Sequence, residues 1–360
     1  MKLKHFSTGL IVITVATIVL TGCNSKSTFK IIDTHEHVEN LVKAKVLEKA
    51  DDAFDVQKTI LLASPIETIT LNGSKTFSNY QKNIDEILNI AALNPDRFVP
   101  FCTLNPKESP LEVFKSCVER GGKGLKLYNG HSYYYDIFGL PLNAKEMMPV
   151  YDYAEVNHIP LVFHINVAKY EAELRAVLDS HPNLVMSIPH FMVSSIQLDR
   201  VTKLFDDYPN LYTDVSFGSP EFMAAGFRRI SGDTEKFRTF AENYSDRILF
   251  GTDMVLSNTK TKDESFMRTT LECYRNMLEQ KHFTCDPVKE YYQGESEKNK
   301  QAYENCQLEE SDCNTEEEKM NSFTKWYGET KKLNGLGLSD EILQKIYWEN
   351  PNRFLNANRN

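Results

Sequence analysis

Histidine and aspartate residues that could bind a metal ion stand at the ends of several apolar runs. His35 and His37 lie two residues apart, so both side chains would project from the same face of a strand. His164, His190 and Asp253 end three later runs of the same kind. Imidazole and carboxylate groups together suit zinc, manganese, nickel or iron. Each residue alone is typical of a core histidine or a turn aspartate, but the joint pattern predicts a metal site.

Lys126 lies on another apolar run and is a further candidate for chemistry. A lysine in such a run needs a compensating partner, because an unpaired buried ammonium group is costly. Pairing with Asp33 or Asp214 is one interpretation, and it would give Lys126 a purely structural role.

Eight extended apolar runs must position these side chains, and helical patterns separate most of them. The runs are 30–38, 58–64, 98–104, 124–130, 160–166, 184–190, 211–217 and 248–254. The helical patterns are 81–93, 111–120, 144–156, 171–178 and 198–207, and the segment between the first two runs is the least clear. Apolar runs joined by helices favour a parallel sheet that is covered on both faces.

Eight strand–helix repeats predict an α/β fold, a (β/α)₈ TIM barrel. An open doubly wound sheet is disfavoured because no Gly-x-Gly-x-x-Gly follows the first strand. In such a barrel the site lies at the carboxyl ends of the strands, where the histidines and Asp253 stand. Tyr128 and His131, in and beside the segment 129–135 that follows the fourth strand, would contact a substrate there, unless this segment is an idle surface loop.

The barrel is predicted to span residues 30–358, with an acidic insertion at 285–325 after strand eight. Residues 285–320 hold eleven acidic residues against four lysines and few apolar residues, as in a solvated excursion. A periodic amphipathic helix then returns over residues 339–354, beginning at Ser339 or Asp340.

The N-terminus predicts export. Lys2 and Lys4 precede an apolar run, residues 9–20, which is shorter than the about 20 residues of a membrane-spanning helix but suits a signal peptide. The run ends in Leu-Thr-Gly-Cys, which resembles the lipobox of bacterial lipoproteins. Residues 1–22 would then be the signal peptide, Cys23 the lipidated residue, and 23–29 a tether to the cell envelope, periplasmic or at the surface. An uncleaved membrane anchor is the alternative.

The net charge bears on the class of binding partner, and the positions of the cysteines bear on their burial and pairing. The net charge of −9, without a cluster of Lys and Arg, argues against nucleic acid as a partner. Cys102, Cys117 and Cys273 lie in apolar segments and are expected to be buried thiols. Cys285, Cys306 and Cys313 lie in the acidic stretch, where two of them could pair outside the cytoplasm.

Together these segments resemble the amidohydrolase superfamily, especially its amidohydrolase-related (amidohydrolase 2) branch, which includes lactonases and non-oxidative decarboxylases. The resemblance covers about residues 30–356. Its segments are DTHEH (33–37), LNPDRFVPFCTLNP (93–106), GLKLY (124–128), VFHIN (162–166), IPHF (188–191), ILFGTDM (248–254) and YWENPNRF (347–354).

The resemblance implies a divalent ion, zinc first and manganese second, bound by His35, His37, His164 and Asp253. His190 would be catalytic or bind a second ion. In binuclear members the strand-four lysine, here Lys126, is carboxylated and bridges two ions, whereas in others it would bind an anionic substrate. A site with one metal ion is favoured, and a site with two ions is the open alternative.

The implied reaction is hydrolysis of a small-molecule lactone, ester or amide. A divalent ion lowers the pKa of bound water from 15.7 to about 7. Asp253 would then be both ligand and base, while His190 polarises the carbonyl or positions the water. Two alternatives stay open. One is a metal-dependent decarboxylase, a lyase acting on an aromatic or unsaturated carboxylate, and the other is a non-catalytic solute-binding lipoprotein.

Overall fold

A computed structural model describes residues 29–70, 76–257, 262–291, 293–294 and 332–356. Eight parallel strands pair in chain order, β1 through β8, so the predicted (β/α)₈ barrel is confirmed. The strands are β1 (Ile31–Glu36), β2 (Val56–Leu62), β3 (Phe98–Thr103), β4 (Gly124–Gly130), β5 (Leu161–Ile165), β6 (Met186–Ser187), β7 (Leu211–Asp214) and β8 (Ile248–Leu249). A two-stranded antiparallel ribbon of β9 (His282–Phe283) and β10 (Leu333–Asn334) lies outside the barrel.

The helices cover the outside of the barrel and its rim. They are α1 (Leu41–Ala53), α2 (Ile66–Thr70), α3 (Tyr80–Leu93), α4 (Pro110–Glu119), α5 (Ser132–Phe138), α6 (Met148–Val156), α7 (Val167–Ser180), α8 (Pro189–Val193), α9 (Leu198–Asp207), α10 (Pro220–Gly232), α11 (Thr234–Asn243), α12 (Glu264–Glu279), α13 (Asp340–Gln344) and α14 (Asn350–Leu355). The unclear segment after β1 is α1, which Asn40 caps by accepting the backbone N–H of Lys43. At the C-terminus Ser339 is the cap, as expected, and a π-helical turn over 345–349 joins α13 to α14.

A seam of backbone hydrogen bonds between β1 and the residues after β8 closes the barrel. The N–H of Thr34 donates to the carbonyl of Phe250 at 2.9 Å. Further along, the N–H of Asp253 donates to the carbonyl of His35, and that of Leu256 to the carbonyl of His37, both at 2.7 Å. Closure therefore places Asp253 beside two histidines that are more than 200 residues away in sequence.

The inner core of the barrel lies below this seam. Side chains from alternating strand positions, including Leu62, Phe101, Val162 and Leu249, are fully or almost fully buried there. Phe354 of α14 joins them, with its ring 6.3 Å from that of Phe101. The C-terminal helix thus belongs to the barrel and seals its interior.

β6 is much shorter than the run 184–190 that the sequence predicted. β6 ends at Ser187, and the chain then enters a turn in which His190, Phe191, Met192 and Val193 all have φ between 50° and 61°. Such left-handed conformations are costly for residues other than glycine, and they cannot continue a strand. His190 therefore lies in a strained turn beyond β6 and not at a strand end.

The expectation of buried thiols was wrong for Cys102, Cys117 and Cys273. Cys102 on β3 forms a disulfide with Cys117 on α4, which packs against that strand. Cys273 on α12 pairs with Cys285, because the ribbon strand β9 returns the chain along that helix. Cys285 therefore does not pair within the acidic stretch. All four cysteines are buried, as was expected for Cys102, Cys117 and Cys273 but not for Cys285.

Several predicted features lie outside the described residues: the signal peptide 1–22, Cys23, the tether apart from Phe29, most of the 285–325 insertion, Cys306 and Cys313. Within the described residues, no helix has the length and apolar character needed to cross a membrane.

The Cys102–Cys117 disulfide gives a stability prediction. It closes a loop of 15 residues, which should contribute about 3 kcal/mol through loss of entropy in the unfolded chain. Replacing both cysteines by alanine should lower the free energy of unfolding by about that amount in chemical denaturation without reductant. A double variant as stable as the wild type, or non-reducing peptide mapping without a 102–117 cross-link, would contradict this pairing.

Candidate metal centre

His35, at the end of β1, is fixed by Asp214 of β7. The imidazole Nδ1 lies 2.7 Å from Asp214 Oδ2, a contact in which Nδ1–H donates to the carboxylate. The ring is almost completely buried. Burial and the nearby Lys126 ammonium lower the pKa of His35 to about 4. Neutral His35 therefore has its proton on Nδ1 and a lone pair on Nε2.

His37 is fixed in the same way from the neighbouring strand. Its Nδ1 lies 2.8 Å from the carbonyl oxygen of Leu62 and 2.7 Å from Ser64 Oγ, which in turn lies 2.6 Å from the hydroxyl of Tyr128. A carbonyl oxygen only accepts, so Nδ1 of His37 carries the proton. Burial lowers the pKa of His37 as well. Its Nε2 lone pair also faces the interior.

His190 is held by the residues that follow β7. Its backbone N–H donates to Asp214 Oδ1 at 2.9 Å, and its Nδ1 lies 3.0 Å from the carbonyl oxygen of Ser216. The ring proton is therefore on Nδ1, and Nε2 of neutral His190 is an acceptor or a ligand. Asp214 thus positions both His35 and His190, since Oδ2 accepts from the His35 ring while Oδ1 accepts from the His190 backbone and from Ser216.

The Asp253 carboxylate lies where these three imidazoles converge. Asp253 Oδ1 is 3.5 Å from His35 Nε2 and 3.3 Å from His37 Nε2, and Oδ2 is 3.5 Å from His190 Nε2. Oδ1 is buried and has no hydrogen-bond donor among the residues that the structure describes. Gly218 makes room for the other oxygen, because a Cβ at this position would lie 2.8 Å from Oδ2. The φ of Gly218, +78°, also favours glycine there.

The backbone around Asp253 is strained and is held by polar contacts. Asp253 and Val255 both have φ of 52°, a costly conformation for a β-branched residue. The N–H of Met254 donates to Glu36 Oε1 at 2.8 Å. Lys262 Nζ donates to the carbonyls of Met254 and Val255 at 2.7 and 2.6 Å. These bonds fix the direction of the Asp253 side chain.

The donor set fits a divalent cation. Three Nε2 lone pairs face the Asp253 carboxylate, two of them at the orphaned Oδ1 and one at Oδ2, and acceptor atoms this close repel unless a cation lies among them. Ring nitrogens held by a second layer of carboxylate and carbonyl groups are the usual support of metal-binding histidines. His35, His37 and Asp253 offer the tightest grouping of ligand atoms. A second grouping, His35, His190 and Asp214, is already explained by hydrogen bonds to Asp214.

Lys126 lies at the floor of the site and is fully buried. Its Nζ is 3.2 Å from His35 Nε2 and forms no ion pair with the residues that the structure describes. The expected structural pairing is not seen, because Asp33 binds Thr252 and the His35 backbone while Asp214 binds His35. Burial lowers the pKa of Lys126 to about 8.

His164 and His131 extend the cluster into a row of five imidazoles. Ring centroids are 5.3 Å apart for His37 and His35, 5.1 Å for His35 and His190, 5.0 Å for His190 and His164, and 4.4 Å for His164 and His131. His164 therefore lies two rings along the row from His35 and outside the tight grouping with Asp253. Its role as a ligand stays a prediction.

The row lines a cavity of about 750 Å³ that opens at the carboxyl ends of the strands. Tyr128 and His131 both line it, so the structure brings them to the predicted place, although the segment after β4 is mostly the short helix α5. At the mouth, Ile196 and Phe222 line the cavity and are 77% and 63% exposed, which gives its rim an apolar character.

Sequence reasoning missed the residues that hold the histidines: Asp214 as a hydrogen-bond acceptor, Ser216, Ser64 and the Leu62 carbonyl. Asp214 was considered only as a partner of Lys126. Its place at the end of the seventh strand, where polar residues face the site, was the available signal.

Comparison with known proteins identifies the family. The Amidohydrolase family model matches residues 32–276, and the chain belongs to this family. A search of curated proteins finds no match.

Solved structures share the barrel. An uncharacterised TIM-barrel protein from Bordetella bronchiseptica is 14% identical, with a TM-score of 0.51 over 92% of this chain and 100% of that one. A putative 2-pyrone-4,6-dicarboxylic acid hydrolase from Pseudomonas putida is 13% identical, with a TM-score of 0.45 over 69% of this chain and 93% of that one. A 5-carboxyvanillate decarboxylase from Sphingomonas paucimobilis is 13% identical, with a TM-score of 0.43 over 68% and 93%. The first likeness supports the fold alone, and the other two are too distant to identify a reaction.

Proposed function

We propose that this member of the Amidohydrolase family is a metal-dependent hydrolase that cleaves a lactone, ester or amide bond in a small molecule. One observation carries the proposal. The Nε2 atoms of His35, His37 and His190 converge within 3.5 Å on the carboxylate of Asp253, and one oxygen of that carboxylate is buried without a donor. A solute-binding protein would have no need for this arrangement.

His35, His37 and Asp253 would hold one divalent ion, with zinc the first candidate because imidazole and carboxylate ligands suit it. His164 is the proposed further ligand. When bound, such an ion acts as a Lewis acid and makes water reactive at neutral pH.

Asp253 is the proposed base. Its Oδ2 faces the cavity side and the Nε2 of His190, so it can accept a proton from water and return it to the leaving group. Nδ1 of His190 donates to the Ser216 carbonyl, and this contact directs Nε2 toward Asp253 Oδ2, where it can hold a water beside the base. We therefore assign His190 to the positioning of water.

Lys126 is proposed to bind negative charge on the substrate. It is a buried cation without an ion pair among the described residues, and it lies beside a proposed ligand, His35. Its alternative role, as a carboxylated bridge between two ions, would make His190 and His164 ligands of the second ion.

We further propose export, with a lipid anchor at Cys23 that retains the protein in the cell envelope. The support is the Leu-Thr-Gly-Cys sequence after an apolar run, together with two disulfides within the barrel. Disulfides of this kind persist in oxidising compartments and are rare in the cytosol.

The function is tested by Asp253→Asn and His190→Asn on metal-loaded protein, after a screen of lactones, esters, amides and aromatic carboxylates. Each variant should lower turnover by about 10²–10⁴-fold, the range for a positioned acid–base group. Elemental analysis should give about one equivalent of divalent metal, retained in His190→Asn if one ion is present. Loss of one of two equivalents in that variant would instead indicate a binuclear site.

The matched controls are His282→Asn and Asp286→Asn, which change the same residue types at exposed positions on and after β9. Both should keep full activity. Full activity after exhaustive chelation, or near-normal activity of Asp253→Asn, would contradict the proposal. Release of carbon dioxide without hydrolysis would replace the hydrolase by the decarboxylase.

The anchor is tested by Cys23→Ala in the full-length chain. The variant should leave the membrane fraction or remain unprocessed, because it lacks the thiol that takes the lipid. Ser27→Ala, outside the Leu-Thr-Gly-Cys sequence, serves as the control. Unchanged processing and membrane partition of Cys23→Ala would show that there is no anchor at this residue.

A further inference from the structure

His131 has a ring nitrogen whose protonation is fixed by the backbone. It is the residue before α5, and the backbone N–H of Tyr133 donates to its Nδ1 at 3.1 Å. An N–H can donate only to a nitrogen that carries a lone pair, so Nδ1 has no proton. The single ring proton of His131 must therefore be on Nε2. This tautomer is opposite to that of His35, His37 and His190.

The Nε2–H of His131 has no acceptor among the described residues. His131 lines the cavity, and its ring lies 4.4 Å from that of His164 and 5.5 Å from that of Tyr134. Neither contact is a hydrogen bond. His131 is part-buried, and a ring N–H that lines the cavity without a protein acceptor is available to donate to a bound molecule.

We propose that His131 binds the substrate by donating its Nε2–H to a carbonyl or carboxylate oxygen. This inference rests on the proposed function, because it takes the cavity to be the substrate site. His131 stands at the opposite end of the imidazole row from His37, two rings beyond His190, which is the last imidazole of the row in contact with Asp253. The oxygen that it binds therefore belongs to a part of the substrate away from the bond that is cleaved.

The position of His131 relative to Asp253 also indicates a class of substrate. A molecule that reaches both Asp253 and His131 must carry a second oxygen group apart from the scissile lactone, ester or amide. A protonated Nε2 cannot bind a metal, and turning the ring to offer Nδ1 would break the bond to Tyr133. His131 is thus a binding residue and not a metal ligand.

Two conservative variants separate the two roles of His131, which caps α5 through its Nδ1 and donates a hydrogen bond through its Nε2–H. In His131→Asn the side-chain oxygen can replace Nδ1 as the cap, but the distal donor is lost. Thermal stability and Zn²⁺ affinity should stay at wild-type values, while KM for the panel compound that the wild type turns over fastest rises about tenfold with kcat little changed. That is the size expected for one lost hydrogen bond that does not strengthen in the transition state.

In His131→Gln the amide NH₂ reaches the position of Nε2 and keeps the donor, while the cap is lost. This variant should keep a KM near that of the wild type and unfold a few degrees lower. Equal rises of KM in both variants would show a structural role only. An unchanged KM in His131→Asn, or a tenfold loss of its Zn²⁺ affinity, would overturn the proposal.

The tautomer is tested without metal or substrate by NMR of ¹⁵N-histidine-labelled protein. The His131 signals are those absent from the spectrum of His131→Asn. At neutral pH they should report a neutral ring with its proton on Nε2, and a proton on Nδ1 would overturn the proposal. Because this readout is independent of the reaction, the tautomer can be established or refuted even if the protein is not a hydrolase.

Discussion

Mutual repulsion of acceptor atoms is the constraint on which the rest of the site depends. The Nε2 atoms of His35 and His37 lie within 3.5 Å of Asp253 Oδ1, and that of His190 lies 3.5 Å from Oδ2, without a proton donor apart from Lys126 among the residues that the structure describes. Each imidazole is locked in this direction because its Nδ1–H is bound to Asp214, to the Leu62 carbonyl or to the Ser216 carbonyl. A protein maintains such a cluster when a cation compensates it.

Closure of the barrel assembles this cluster. The hydrogen bond from the Asp253 N–H to the His35 carbonyl is part of the seam that joins the first and last strands, so folding and site formation are one event. The strained turn that begins at His190 and the turn around Asp253 both lie directly beyond short strands. Strained backbone persists where surrounding contacts determine it, and here Asp214 and Lys262 supply those contacts.

The sequence was sufficient to predict the barrel, because eight apolar runs separated by amphipathic helices have few other solutions. It also predicted that His35, His37, His164, His190 and Asp253 would share one end of the barrel, since parallel strands bring their carboxyl ends together; His164 lies two rings from His35, and its role as a ligand stays a prediction. It could not predict the length of β6, because the left-handed turn after it is a tertiary effect and follows no glycine pattern. The residues that hydrogen-bond to the histidines could not be predicted either, since a contact such as that of Asp214 with His35 depends on side-chain directions in the closed barrel.

The pairing of the disulfides also could not be predicted from the sequence. Apolar neighbours correctly indicated that Cys102, Cys117 and Cys273 are buried, but pairing depends on which helix packs on which strand. The acidic composition that follows Cys285 pointed away from its true partner, because β9 returns the chain along α12 and places Cys285 beside Cys273 at the very start of the acidic stretch. Local composition therefore predicts burial better than it predicts a cross-link.

The most direct test of the central claim is anomalous diffraction from crystals of the protein soaked with Zn²⁺, recorded above and below the zinc absorption edge. One dominant anomalous peak should lie within ligand distance, about 2.0–2.2 Å, of His35 Nε2, His37 Nε2 and an Asp253 oxygen. The imidazoles should keep their Nδ1 contacts with Asp214 and Leu62. Zinc-soaked crystals with no peak at this position, and with the four acceptor atoms still facing one another, would contradict it.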